Sequence, residues 1–148
     1  MLTETLKSLF RRDLLRLKTE IESYKNEANL WLTRAGISNA AGNLCLHLIG
    51  NLNTYIGATL GGTGYIRHRE LEFSMQHVPQ NELIKKIEET LIVVEESLDK
   101  LSQAALEAEY PLLVFEQKTS TEFLLIHLTT HLSYHLGQIN YHRRLLDK

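Results

Sequence analysis

Apolar residues recur along the chain at alternating steps of three and four, the spacing of helices that pack in bundles. Four long segments carry this pattern, at about 3–34, 38–60, 80–105 and from 119 toward the C-terminus. No stretch shows the period-two alternation that indicates a β-strand. The pattern therefore predicts an all-α protein, and we expect a four-helix bundle.

The first and third segments have unbroken apolar rows and no candidate chemistry. The first row is Phe10, Leu14, Leu17, Ile21, Tyr24, Ala28 and Trp31. The third row is Ile84, Ile87, Leu91, Val94, Leu98, Leu101 and Ala105. Both segments are predicted to be structural helices, and Gly36 is the expected stop after the first.

The second segment should begin at Ser38 as an N-cap and end at the GGTG of residues 61–64. Its inward row holds Leu44, His47 with Leu48, Asn51 and Tyr55. Gly50 lies inside the predicted helix, where it could let a neighbouring helix approach closely. The connection at 64–79 is long for a bundle loop, and we expect a short helix within it at about 70–75.

The fourth segment should begin with a capping box of Thr119 and Glu122, after Pro111. Its row then changes character. It continues as Leu124, Leu128, His131, His135, Gln138, His142 and Leu145. A row that carries leucine and isoleucine in the third segment carries histidine and glutamine here, which indicates a functional site.

Histidine spacing on the fourth segment favours a metal site. His127, His131 and His135 are four residues apart, and each such step rotates a side chain by only about 40° on an α-helix. Neighbours can then direct two imidazoles, which are good ligands for transition metals, at one ion. Solvated or hydrogen-bonded histidines are the ordinary alternative. However, an unpaired imidazole on a buried row costs free energy, and no acidic residue lies between Glu122 and Asp147.

Three of the histidines form the predicted ligand set: His47, His131 and His135. His131 and His135 lie on the row, whereas His127 lies beside it. His142 is two turns from His135, about 10 Å along the axis, too far to share the ion. His47 lies near the middle of the second helix and can face the fourth. Three imidazoles leave a coordination position open, as catalytic sites do.

Other polar residues near this set have two interpretations each. Gln138 either holds a small molecule at the site or is a buried glutamine bonded to backbone. Asn43 and Asn51 either orient the second-helix histidine or make interhelix hydrogen bonds, and we favour the hydrogen bonds. Tyr134 is expected to pack, and Cys45 to be a small buried apolar residue.

Composition narrows the class of protein. The 148 residues, 43% hydrophobic and 23% charged, suit one globular domain at 1–148. Sixteen basic against eighteen acidic residues give a net charge of −2 without a basic run, so no nucleic-acid binding is expected. One cysteine allows no internal disulfide, and neither a secretory segment nor a membrane span is apparent. We expect a cytoplasmic protein without membrane association.

Three stretches resemble the DinB/YfiT-like superfamily. HLTTHLSYHLGQINYHRRLL at 127–146 is similar to its signature helix, close to H-x-x-x-H-x-x-Y-H-R-G-Q-I. LCLHLIGNL at 44–52 resembles its second helix, which supplies the first histidine, and RHRELEF at 67–73 resembles its Arg-rich connection. The match covers nearly the whole chain. It departs at Leu136, where an arginine is common, which puts any anion-binding role of that arginine in doubt here.

This resemblance implies an up-down-down-up bundle with one metal held by His47, His131 and His135. It also implies a homodimer. Members of the superfamily range from stress-induced proteins to transferases and isomerases that use bacillithiol, mycothiol or glutathione.

The leading functional hypothesis is a metal-dependent thiol S-transferase acting on a small electrophile, with zinc or nickel as the metal and Gln138 as a candidate positioning group. A hydrolase that activates water on the metal is chemically equally allowed. A non-catalytic metal-binding or stress-response protein is the alternative from another class. A di-iron carboxylate site is disfavoured because the chain contains no Glu-x-x-His. Haem is disfavoured because histidines one turn apart cannot take opposite axial positions.

Overall fold

The computed structural model describes residues 1–148 and contains helices but no β-strand. The α-helices are α1 (Leu2–Glu22), α2 (Ala41–Leu52), α3 (Arg69–Ser74), α4 (Gln80–Asp99), α5 (Gln103–Glu107) and α6 (Thr121–Leu146). A 3-10 helix at Glu27–Trp31 precedes α2, and a π-helix at Asn53–Ala58 continues it. The predicted all-α class is confirmed.

The four long helices form the core. Helices α1 and α2 each pack against both α4 and α6, and 29 buried apolar residues form one cluster among these elements. Every residue of α2 is buried, because α3 and the 3-10 helix also pack on it. Side chains on α2 are therefore surrounded by protein on several sides. No helix combines the length and the apolar character needed to cross a bilayer.

The first predicted helix is too long. α1 ends at Glu22, not Arg34. The side-chain amide of Gln80 donates to the carbonyl of Ile21 at 2.7 Å, satisfying an acceptor at the helix end. Asp147 then accepts from the backbone N–H groups that follow, at 2.7 and 3.2 Å. These partners are remote in sequence, so apolar spacing could not reveal the break.

The second and third predicted helices also differ at their ends. α2 begins at Ala41 instead of Ser38, and its π-helical continuation ends at Ala58. α4 ends at Asp99 instead of Ala105, because the Ser102 hydroxyl accepts from a backbone N–H and begins α5. The expected short helix in the 64–79 connection is present as α3.

Helix α6 begins one residue later than predicted. Ser120 is its N-cap and accepts from the backbone N–H of Phe123 at 3.1 Å, so the capping box of Thr119 and Glu122 is wrong. The carbonyl of Thr119 instead accepts from the backbone N–H of Tyr110 at 2.8 Å. A hydroxyl residue stands at both 119 and 120, and the sequence alone did not separate them.

The buried face of α6 is rotated from the predicted row. Leu132 and Ile139 enter the core, whereas Gln138 and Leu145 are exposed. A straight helix has 3.6 residues per turn, so a row that follows steps of 3.5 drifts across its face. The half-buried His131 and His135 therefore lie at the edge of the core, toward α2.

Candidate metal centre

The three predicted histidines come together where α2 packs on α6. One ring nitrogen of each of His47, His131 and His135 lies within 4.8 Å of the other two. The Nε2 atoms of His47 and His131 are 3.2 Å apart. His47 is buried, and the other two side chains are half-buried. The spacing along α6 and the contact between the helices thus produce the cluster that the sequence predicted.

The ring of His47 is fixed by a buried ion pair. Its Nδ1 donates to Oε1 of Glu72 at 3.0 Å. Arg67 donates two hydrogen bonds to the same carboxylate, from Nε at 2.8 Å and from a terminal nitrogen at 2.9 Å. A carboxylate only accepts, so the His47 proton lies on Nδ1 and its Nε2 presents a lone pair to the cluster. Such a partner commonly orients a metal-binding histidine.

Gly50 provides the space for that carboxylate. A Cβ atom built on Gly50 would lie 1.9 Å from Oε2 of Glu72. A close approach was predicted at this glycine, and the group that approaches is a side chain of α3. Asn43 on α2 donates to the backbone carbonyls of Glu72 and Met75 at 3.0 and 2.8 Å, joining α3 to α2. This is the favoured hydrogen-bonding interpretation of Asn43.

His135 has a different partner. Its Nδ1 donates to Oε1 of Gln138, one turn along α6, at 2.7 Å. Gln138 is exposed and bonded to a side chain, so the interpretation as a buried glutamine bonded to backbone is wrong. Its amide holds the ring of His135 so that Nε2 remains available.

His131 has no such partner. Its Nδ1 is buried without a hydrogen bond. Burial, and then the neighbouring His135 and His47, lower the pKa of His131 to about 4. Burial also lowers the pKa of His47, against the opposing effect of Glu72. Both imidazoles are therefore neutral near pH 7, the state in which imidazole binds a metal.

The residues present fit a divalent transition metal. Two nitrogens at about 2.0–2.1 Å from a tetrahedral zinc lie about 3.3 Å apart, close to the 3.2 Å between the Nε2 atoms of His47 and His131. The Nδ1 atoms of His47 and His135 both have acceptors. Those acceptors leave Nε2 of each ring free to coordinate.

The other two histidines of α6 stay outside this cluster. His127 packs edge-on against Phe115, with ring centroids 4.7 Å apart. His142 is buried, with Nδ1 2.6 Å from the hydroxyl of Tyr24 and Nε2 2.8 Å from the carbonyl of Leu32. His142 thereby ties α6 to the chain that follows α1.

Several other expectations concern the surroundings of the cluster. Cys45 is fully buried in the core, and burial raises its thiol pKa to about 12, which suits the expected apolar role. Oδ1 of Asn51 is buried without a partner, so it makes no interhelix bond through that atom. Tyr134 is 65% exposed, so the expectation that it packs is wrong.

Neither Glu72 nor Arg67 was predicted from the sequence to be part of the site. Both lie in the RHRELEF segment, whose only signal in the sequence is its resemblance to a superfamily connection. A buried carboxylate requires a partner, but 25 residues separate Glu72 from His47, and no periodicity links them. The glycine inside a helix at position 50 was the one usable signal.

A cavity of about 410 Å³ adjoins the cluster. His135 and Gln138 form part of its wall. A molecule in this cavity would therefore lie against one of the three clustered imidazoles.

The fold and the cluster define an all-helical bundle protein with a three-histidine candidate metal site. Residues 4–148 match the family described as "Protein of unknown function (DUF1572)", and the chain belongs to that family. No curated protein matches the chain.

Proposed function

We propose that the chain binds one divalent transition-metal ion through His47, His131 and His135. The convergence of three ring nitrogens within 4.8 Å carries this proposal. An all-imidazole set suits zinc, nickel, copper and iron, and we propose zinc or nickel. The acceptors at Nδ1 of His47 and His135 support it, because they are the partners that metal-bound imidazoles use.

We propose further that the site is catalytic and belongs to a thiol S-transferase that acts on a small electrophile. A metal with three imidazole ligands keeps its full charge and favours the anionic form of a small thiol, or of water, near neutral pH. The cavity beside His135 supports catalysis over simple metal storage, since storage requires no adjoining space.

The chain's own residues have distinct roles in this proposal. Glu72 holds the Nδ1 proton of His47, and Arg67 holds Glu72. Gln138 holds the Nδ1 proton of His135 and is a candidate positioning group for a molecule in the cavity. The packing of α2, which is buried throughout, excludes water from the inner side of the cluster.

We propose that this family falls within the DinB/YfiT-like superfamily and that the long helices run up, down, down and up. Contacts between helices support that order. Salt bridges join Arg11 with Glu95 and Lys18 with Glu88, so α1 and α4 are antiparallel. The single apolar cluster supports one domain. The homodimer and the cytoplasmic location remain predictions.

Metal analysis tests the proposed site. Protein purified without a nickel column should carry about one zinc or nickel ion per chain by elemental analysis. His47→Ala, His131→Ala and His135→Ala should each lose it. His127→Ala is the matched control and should retain it. A wild-type chain that carries no metal and binds none in titration would contradict the site.

A paired activity screen tests catalysis. Conversion of chlorodinitrobenzene should require both the metal and an added thiol such as bacillithiol or glutathione. Metal-dependent hydrolysis of an activated ester without thiol would favour the hydrolase. Metal binding without either reaction would favour the non-catalytic protein.

A further inference from the structure

A stripe of side chains on α6 forms one wall of the cavity beside the histidine cluster. Tyr134, Gln138, Tyr141 and Leu145 follow one another at steps of four and three, so they lie on one face of the helix. Leu44 and the segment 36–39 also line the cavity. Its volume of about 410 Å³ is within the range of small-molecule sites.

The cavity wall carries no Asp, Glu, Lys or Arg. His142 lines it as a neutral ring, because burial lowers its pKa. Arg144 lies over the ring of Tyr141, 5.0 Å from its centroid, but does not line the cavity. The wall therefore contains no lysine or arginine that could pair with an anionic molecule. Thiols such as glutathione carry carboxylates, so the cavity suits the other reactant.

The wall is mainly apolar by area and is open to solvent. Tyr134, Tyr141 and Leu145 are 65%, 61% and 56% exposed. Covering such surface with an apolar molecule is favourable. Gln138 supplies a directional group. Oε1 of Gln138 is occupied by His135, so its Nε2 is free to donate to an acceptor in the cavity.

We propose that this cavity binds the electrophilic substrate, and that the substrate is an uncharged, mainly apolar molecule with an acceptor oxygen for Gln138. The role of this molecule as a substrate rests on the proposed function. Its binding in the cavity does not rest on that function, because the lining side chains are present with or without a metal.

A matched pair of probes tests this inference. 4-Fluorobenzamide and 4-fluorobenzoate differ mainly in charge and can be titrated into metal-free protein by ¹⁹F and ¹H–¹⁵N NMR. The amide should shift the signals of Gln138 and Gly36. It should bind at least about 10-fold more tightly than the carboxylate, because no lysine or arginine in the wall offsets the hydration that a carboxylate loses on binding. Leu145→Arg should reduce or reverse that preference. Ile92→Arg, an exposed substitution on α4, should leave it unchanged.

Several results would overturn the inference. These are equal binding of the two probes, shifts confined to other surfaces, or a preference that survives Leu145→Arg. A concentration-dependent dimer abolished by Leu145→Arg would assign the stripe to a second copy of the chain. Titrating zinc-loaded protein with the amide separates the two proposals. If the chain binds the amide but no metal, the cavity proposal stands and the metal proposal fails. If the chain binds metal but not the amide, the metal proposal stands and the cavity proposal fails.

Discussion

At the scale of single residues, the three clustered imidazoles are anchored unequally. His47 donates to a buried carboxylate that an arginine holds with two bonds. His135 donates to an exposed, neutral amide. His131 has no partner at Nδ1. A charged acceptor makes the stronger bond and raises the basicity of the ligand, so Glu72 should contribute more to metal affinity than Gln138.

Glu72→Gln keeps an acceptor oxygen but removes the negative charge, and it should weaken metal binding by about 10- to 100-fold, the usual effect of changing the partner behind a metal-bound histidine. Competition with a chromophoric chelator measures the affinity. Glu70→Gln is the control, since the side chain of Glu70 is 76% exposed. Equal affinities in the wild type and Glu72→Gln would show that the ion pair serves only to hold α3 on α2.

A pair of glycine substitutions separates helix propensity from the site. Gly137 lies inside α6, and a Cβ atom added there would have no neighbour within 4 Å. Because alanine favours the helix over glycine, Gly137→Ala should raise the free energy of unfolding by about 0.5–1 kcal/mol. Gly50→Ala should gain nothing comparable and should lose metal affinity, because its Cβ would displace Glu72. Denaturant unfolding and metal titration measure the two effects. Unchanged metal affinity in Gly50→Ala would contradict this role of Gly50.

The ligand candidates were accessible from sequence because they repeat at helical spacing, whereas their supports were not. His131 and His135 are one turn apart on α6, and His47 lies on a segment with its own apolar row. Glu72 and Arg67 come from a connection without long periodicity. Their placement depends on the packing of α3 and the segment before it on α2, which only the folded chain determines.

At the scale of elements, sequence periodicity predicted where the long helices lie better than where they end. The row of α4 holds Ile87, Leu91, Val94 and Leu98 in the core as expected. The end of α1 instead depends on Gln80 and Asp147, which lie far along the chain. Apolar spacing reports which face is buried, but helix ends depend on which polar groups satisfy the last carbonyls.

His142 should make the stability of the metal-free protein depend on pH. Burial lowers its pKa from the ordinary 6.5, so the unfolded chain binds the proton more readily. The contribution of the neutral His142 to the free energy of unfolding is complete above pH 6.5, and it is lost as the pH falls below that value. His47 and His131 add the same trend because their pKa values are also lowered.

His142→Gln should therefore make the acid loss shallower, because glutamine keeps a donor and an acceptor but does not titrate. Urea unfolding at a series of pH values measures the slope. His68→Gln is the control, since that side chain is 65% exposed. An unaltered slope in His142→Gln would assign the acid sensitivity to other groups.

At the scale of the whole molecule, the site lies at the edge of the core. The 29-residue apolar cluster draws on all four long helices. The clustered imidazoles lie at its edge, where α2 meets α6. The metal would therefore add stability to a fold that the apolar core already maintains. In a small zinc-dependent domain, by contrast, the fold requires the ion.

Removal of the metal should leave the protein folded at neutral pH. The apolar cluster remains intact without an ion, and His47 and His131 are neutral near pH 7, so no buried positive charges are left to repel each other. Chelation should leave the helical circular dichroism signal unchanged while lowering the free energy of unfolding. The loss should be about 2.7 kcal/mol relative to protein with free metal at 100 times its Kd, because the ion binds only the native state. His131→Ala should not respond to the chelator. Loss of the helical signal on chelation would instead make the ion structural, and the open coordination position would no longer indicate catalysis.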